Sequence, residues 1–490
     1  MMTLFLILWP LIIALGIFVF RPSYAKWIAF IGSVVEFAAA LVIAVQFSKS
    51  GAFEFSLNMP WVPALGISFS IGIDGISLLL VLLTTGLIPF IILSSANSSA
   101  ERPVNFYGLI LLMQMALVGV FTALDGFLFY VFWEMALIPI YFICLIWGGE
   151  NRSSVTLKFF IYTLAGSLFM LVALLYLYYQ TPGAHSFDIN AIYTAGRALS
   201  PAEQSIIFWG LFLAYAIKMP VFPFHTWQPD TYTVAPVEGT MLLSGIMLKM
   251  GFYGLIRWLI PIVPLGVSEW AFTAIVLSVI GIVYASVIAI NQKDFKRLIA
   301  YASIAHVGLI SAGILTTSPI GFQGALVQML SHGILVFALF YICEIISVRS
   351  GSRTITSLGG IKNSAPVLAT VFIIVLLGTV ALPFTSGFVG EFLLLNSLFT
   401  YNPVLAAVGG LTIILGAVYM LRAFQFMMLG KNSTQTSGVT DLTSNEKWVL
   451  YPIVVLVFVI GIYPDPLLRI SEMAVTDILK VFSNNSAILK

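Results

Sequence analysis

Charge is the scarcest property of this 490-residue chain: Asp, Glu, Lys and Arg make up 9% of it against 60% hydrophobic residues, and the mean hydropathy is +1.05. Such a composition lies well outside that of soluble globular domains. A net charge of +2 leaves no basic footprint for nucleic acid. The two cysteines, Cys144 and Cys343, are too few for an iron–sulfur cluster, and both lie in apolar stretches where a thiol acts as a small hydrophobe. A nucleotide-binding glycine loop, a flavin signature and a cysteine cluster are all missing, so no cofactor is expected in this chain and redox chemistry would belong to partner subunits. Long polar segments are missing too. The widest gaps between apolar runs, roughly 48–71, 180–204 and 430–446, read as polar connectors, leaving residues 1–490 as a single membrane domain.

What remains is hydrophobic in runs of membrane length. A bilayer-crossing helix needs ~20 mostly apolar residues, and fourteen such stretches begin near residues 3, 28, 72, 105, 125, 155, 205, 234, 270, 295, 321, 366, 402 and 447. Membrane strands would alternate apolar and polar residues, whereas "FLFYVFWEMALIPIYFICLIW" (127–147) is apolar all round. The expected fold class is an all-α polytopic membrane protein of about fourteen transmembrane helices. The opening helix is as hydrophobic as a signal peptide, but "RPSYAKW" follows as an inside-positive stop without a small-residue cleavage site, so it counts as a span. An outside start places fourteen Lys and Arg residues in inner connectors and six (Lys49, Arg197, Arg257, Arg469, Lys480, Lys490) in outer ones. That bias sets both termini on the periplasmic face of a bacterial inner membrane.

Against this background a few ionisable residues stand alone. Glu134 is the only charge of span five, and Lys218 follows an uncharged run from Ser205 to Ile217. Lys249 is the only charge in "GTMLLSGIMLKMGFYGLI" (239–256), and Glu391 the only one in residues 369–395. His306 and His332 lie in "RLIAYASIAHVGLI" and "VQMLSHGILVF". An ionisable group at the bilayer centre costs roughly 2.5–3.5 kcal/mol even on lenient scales, so such residues face a bundle interior or a wet cavity. For any one of them a structural ion pair or a snorkelling chain is the plain alternative. Six of them in separate spans point instead to a proton or cation path. Burial and a nearby opposite charge pull proton affinity in opposite directions, so a Glu–Lys pair that opens and closes can take up and release a proton; histidine relays between such groups. Glu36, alone in span two, reads as structural or lipid-edge, and Asp74 and Asp125 as helix starts.

Pro220 and Pro223 follow Lys218, and each removes a helix hydrogen bond. Broken helices expose free backbone groups beside the ion sites of transporters. A second Pro-Phe pair, Pro383-Phe384, echoes Pro223-Phe224 and suggests two five-span repeats, spans four to eight (105–262) and nine to thirteen (270–430). An odd number of spans inverts the second.

"LFYVFWEMALIPIYFICLIWGG" (128–149), "KMPVFPFHTWQPDTYTVAPVEGTMLLSGIMLKMGFYGLIRW" (218–258), "DFKRLIAYASIAHVGLI" (294–310) and "GFVGEFLLL" (387–395) resemble the antiporter-like subunits of proton-translocating NADH:quinone oxidoreductase, respiratory complex I. The resemblance covers essentially the whole chain. It implies a proton-pumping membrane-arm subunit with fourteen helices, the seventh and twelfth broken, beside the neighbouring antiporter-like subunits L and N and membrane lipid. It further implies that Glu134 pairs with Lys218, that Lys249 is the central lysine, that His306 and His332 connect, and that Glu391 exchanges protons with the outlet. One departure stands out: Val234 occupies the family's acidic position before "AP", and Glu238 appears four residues on, one turn along the same helix face. L-type sisters typically extend into a long lateral helix, whereas this chain stops about twenty residues after its last span. N-type sisters usually lack the "FWE" and "HTWQPD" wording. Subunits of multisubunit sodium/proton antiporters share the charged residues and are the alternative. A passive scaffold would make these charges dispensable, and a solute carrier would want a mixed polar pocket rather than a file of single charges.

Overall fold

The computed structural model describes residues 1–95 and 101–483; Lys490, counted above among the outer charges, lies outside them. In chain order the apolar helices are α1 (Met2–Phe20), α2 (Ala25–Gln46), α3 (Gly75–Ser94), α4 (Pro103–Thr122), α5 (Gly126–Trp147) and α6 (Arg152–Gln180). An interrupted segment follows, α7 (Pro201–Lys218) and α8 (Gln228–Val234). Then come α9 (Val237–Leu259), α10 (Pro264–Ile290), α11 (Phe295–Leu315) and α12 (Pro319–Ser350). A second interrupted segment, α13 (Pro366–Thr379) and α14 (Ser386–Tyr401), precedes α15 (Pro403–Met428), α16 (Ser444–Ile462) and the shorter-faced α17 (Asp465–Ser483). Among the described residues twelve helices are long and apolar enough to cross a membrane. Each expected span start lies within six residues of an observed one, the largest error being 270 for Pro264.

The ends of these helices follow from local chemistry. Asp74 and Ser200 close capping boxes on α3 and α7, as Thr443 does with Glu446 on α16, so each supplies acceptors to otherwise orphaned first-turn N–H groups. Asp125, as expected, caps α5 through Phe127 N and Leu128 N, both at 3.0 Å. Proline at the first or second position opens α4, α7, α10, α12, α13 and α15, where its missing N–H costs nothing.

Two connectors depart from expectation. The stretch read as a polar connector at 48–71 contains an antiparallel hairpin, β1 (Glu54–Val62) with β2 (Ile67–Ile73). Its signal was present: Phe55, Leu57, Met59 and Trp61 alternate with polar residues or proline at period two. The gap at 180–204 likewise holds a short helix, Ile189–Ala198. Arg257, counted above as an outer connector charge, is buried inside α9 and pairs with Asp74 at the start of α3. Its guanidinium also lies 4.9 Å from the Phe53 ring centroid, so one buried pair ties hairpin, α3 and α9 together.

Burial is graded across the bundle. All of the apolar window of α9 and 94% of those of α11 and α12 are buried, against 28% for α16 and 33% for α1, α2 and α15. The three central helices carry Lys249, His306 and His332.

Candidate functional site

Lys218 is the last residue of α7, where the helix dipole favours a cation. Pro220 and Pro223 end the helix, and α8 begins at Gln228. The lysine is 3% exposed. It has no ion pair with Glu134 among the described residues; its Nζ lies 5.4 Å from the centroid of the Trp133 ring, within cation–π range. Glu134 sits next to Trp133, half-buried, with Tyr130 and Ser167 at its carboxyl and Lys218 within electrostatic reach. Its Oε1 has no hydrogen-bond partner. Glu134 and Lys218 are therefore neighbours with Trp133 at their junction, and the pair is open.

Lys249 is fully buried and lies between two π-helical turns, Leu243–Met247 and Leu255–Leu259. Such widened turns leave carbonyls available, and Lys249 Nζ takes the Ser244 carbonyl at 2.7 Å. Its second contact is His332 Nδ1 at 3.0 Å. The other ring nitrogen, Nε2, lies 3.1 Å from Ser303 Oγ. His306 follows one turn after Ser303 on α11, its ring centroid 6.0 Å from that of His332. His306 Nδ1 approaches Glu391 Oε1 at 2.9 Å, yet the ring is not aimed for a hydrogen bond and both its nitrogens lack an aligned partner. We read this as a close charge contact rather than a formed hydrogen bond. Gln328 Nε2 donates to the same Glu391 oxygen at 3.3 Å.

These distances order the residues. The resemblance implied that His306 and His332 connect without giving their order; the structure puts His332 against Lys249 and His306 against Glu391. A cavity of about 20 Å³ lined by Ser303, His306, Gln328 and His332 lies along the string, room for about one water with several polar partners. Gly390 lets α14 approach α12 at Gln328, because a Cβ there would meet the Gln328 side chain and backbone. No hydrogen bond joins Lys218 to Lys249 among the described residues, so the six residues form two groups, Glu134 with Lys218, and Lys249–His332–His306–Glu391.

The sequence reading missed Ser303, Gln328 and Trp133. Gln328 offered a signal, being an amide one turn before His332 in an otherwise apolar stretch; the serine and tryptophan offered none, since both types are common in spans. The reading of Glu238 as the Val234 charge moved one turn on a shared face fails. Val234 ends α8, Pro236 intervenes, and Glu238 starts α9. Glu36 is buried against α4, not at a lipid edge, with Gln114 as its polar neighbour. Neither side chain has an aligned hydrogen bond. Both cysteines are buried. Among the described residues no group of three or more His, Cys, Asp or Glu side chains could hold a metal.

The family described as "NADH:quinone oxidoreductase/Mrp antiporter, TM" matches residues 123–416. NADH-quinone oxidoreductase subunit M of Rickettsia conorii is 39% identical over 464 residues, 94% of each chain. F(420)H(2) dehydrogenase subunit M of Methanosarcina mazei is 38% identical over 474 residues, covering 94% of this chain and 95% of that one. Among solved structures, respiratory complex I from Thermus thermophilus with bound NADH contains a chain that superposes with a TM-score of 0.89 at 30% identity, covering 98% of this chain and all of that one. The Mrp complex of Dietzia gives 0.87 at 20% identity, covering 100% and 99%, a likeness of fold alone.

Proposed function

The chain belongs to the family of membrane subunits shared by NADH:quinone oxidoreductases and Mrp antiporters, and on that premise we propose that it moves protons across the membrane for an electron-transferring complex whose redox centres lie in other subunits. It is an antiporter-like membrane subunit of complex I type. Its part in the enzyme is that of a non-redox translocase subunit, with sister subunits of L and N type as neighbours and lipid around it. The plasma membrane, with both termini periplasmic, is the proposed setting. The two interrupted segments, each counted as one crossing, complete fourteen, and residues 105–262 and 270–430 are proposed as inverted repeats.

The observation that carries this reading is the buried string Lys249–His332–His306–Glu391, whose first three members lie on the most enclosed helices. If Lys249 is an ammonium, it donates to His332 Nδ1, and Nε2–H then donates to Ser303 Oγ. Passing the Lys249 proton to Nδ1 makes an imidazolium that can release its Nε2 proton toward the cavity and His306. His306 delivers to Glu391. The Glu134–Lys218 pair acts as the switch. Closing it satisfies both charges, whereas the open form seen here leaves a cation that repels one on Lys249.

Electrostatics separates this from a scaffold. Removing one member of a buried pair typically costs ~3–5 kcal/mol because the other is left uncompensated, so Glu134→Gln and Lys218→Met alone should both impair assembly or pumping. The double variant should assemble better than either single one. Donor-driven vesicle acidification, normalised to assembled complex, is then the measurement. Loss of pumping in the assembled double variant supports the switch; wild-type pumping would make the pair architectural. The sodium/proton antiporter alternative rests on the shared family and a fold likeness, whereas a full-length relative at 39% identity is an NADH-quinone oxidoreductase subunit.

A further inference from the structure

On the far side of α12 from the acidic end of the string, a groove of about 900 Å³ opens between α2, α3, α12 and α16. Its volume lies at the upper end of the range for small-molecule pockets. The floor is Leu83 and Leu87 of α3 with Leu330 and Ile334 of α12. The last two flank His332 in the chain, and Leu83 packs where a Cβ on Gly333 would sit. Leu330, Ile334 and the body of α12 therefore stand between the groove and His332.

The lining is chemically divided. Ser444, Lys447, Trp448 and Tyr451 stand in the first turns of α16, and every other lining residue is apolar. A partner helix packing into a membrane groove uses small residues and interhelical hydrogen bonds; here Gly86 is the only glycine, and alanine and threonine are absent from the lining. Leu, Ile, Val and Phe walls suit hydrocarbon chains. The mouth suits an anion. Lys447 has no ion pair within 4 Å among the described residues; Asp441 lies within its electrostatic reach but spends its oxygens on the backbone N–H groups of Val367 and Leu368, and Glu446 is held by Arg349 at 2.6 and 2.8 Å. A second ammonium is close, since Lys26 and Asn445 converge on the same Leu93 carbonyl at 3.4 and 3.2 Å. Lys26 also lies within electrostatic reach of Glu238. Trp448 is 73% exposed at the mouth, as interfacial anchors are. Basic pockets between membrane helices bind anionic headgroups.

We propose that this groove is a binding site for an anionic phospholipid, its acyl chains filling the apolar slot and its phosphate meeting Lys447 and Trp448. This inference rests on the chain lying in a membrane and is independent of whether it pumps.

The test uses the intact complex, purified in mild detergent, delipidated, and re-exposed to mixed phosphatidylglycerol and phosphatidylcholine vesicles, with bound lipid read by native mass spectrometry. Lys447→Glu should lower retained phosphatidylglycerol several-fold and leave phosphatidylcholine unchanged, while Lys447→Arg should retain both. A photo-crosslinking residue at position 455, on the groove wall, should gain the mass of a lipid. Equal phosphatidylglycerol retention in Lys447→Glu overturns the proposal, and so does a crosslink from position 455 to another subunit.

Discussion

His332 is the residue on which the string turns, because each ring nitrogen has a different partner: Lys249 at 3.0 Å on one side and Ser303 at 3.1 Å on the other. A neutral imidazole can accept at one nitrogen and donate at the other, and its partners choose which. The six ionisable residues were legible in the sequence because each is a lone cost in an apolar span, and that cost needs a reason. Their order was not legible, since it depends on how α9, α11 and α12 face one another. The geometry gives graded expectations for proton pumping at normal assembly. His332→Ala and Glu391→Gln each break the string and should lower pumping about 10²-fold, the lower end of what a positioned acid or base contributes. Ser303→Ala removes a hydrogen bond worth about 1 kcal/mol and should cost only severalfold. Vesicle acidification by the three variants checks this ranking; a Ser303→Ala defect as deep as that of His332→Ala would put the serine hydroxyl itself in the path.

Helix ends explain an asymmetry between the two interrupted segments. Lys218 precedes its break and Glu391 follows its own, so aligning the two Pro-Phe pairs leaves the charges out of register. The dipole supplies a reason: the C-terminus of α7 favours a cation, and the N-terminal part of α14 favours a carboxylate, more weakly because Glu391 lies in the second turn. Proline spacing made the first break legible, whereas the π-helical turns of α9 have no sequence mark, and the alternating hairpin was hidden by the expectation of helices. The start of the second interrupted segment needs its N–H groups satisfied as well. Asp441 does this for the first turn of α13 from a distant connector, accepting from Val367 N and Leu368 N at 2.9 Å each. Burial opposes its ionisation, but these N–H groups and that of Leu442 outweigh it and hold the carboxyl below the usual range. A depressed folded pKa means that the stabilisation is present above the ordinary carboxylate pKa and is lost as pH falls through the folded value, below about 4. Asp441→Asn keeps one acceptor but loses the second and the charge, and should therefore lower stability by about 1 kcal/mol at pH 7, the order of one hydrogen bond. The gap from the parent should narrow below pH 4, where the parent's own carboxylate protonates. Thermal unfolding of both proteins across that range is the measurement, and a gap unchanged at pH 3 would show that the negative charge contributes nothing.

The whole molecule is ordered by burial, from the outward-facing α1, α2, α15 and α16 to the enclosed α9, α11 and α12, and such an arrangement has no intrinsic up or down. Direction comes from the connectors. Lys296 and Arg257 were counted there, but both are buried, the first donating to the Ala235 carbonyl at 2.6 Å and the second paired with Asp74. Removing them leaves thirteen Lys and Arg residues on the proposed inner side against five on the outer, a bias that still favours an outer hairpin and an inner connector between α10 and α11. The orientation matters to mechanism because it decides which end of the string loads and which releases. Both native thiols are buried, so introduced cysteines should be read over a low background. Asp294 is a poor site, since it caps α11 through Arg297 N and pairs with Arg353; the exposed neighbour Lys293 and the exposed Asn58 of β1 are better. In sealed right-side-out vesicles, Asn58→Cys should react with a membrane-impermeant maleimide at once and Lys293→Cys only after permeabilisation. The reverse pattern would turn the molecule over, exchange loading and release ends, and make Glu391 part of the opposite half-path from the one proposed.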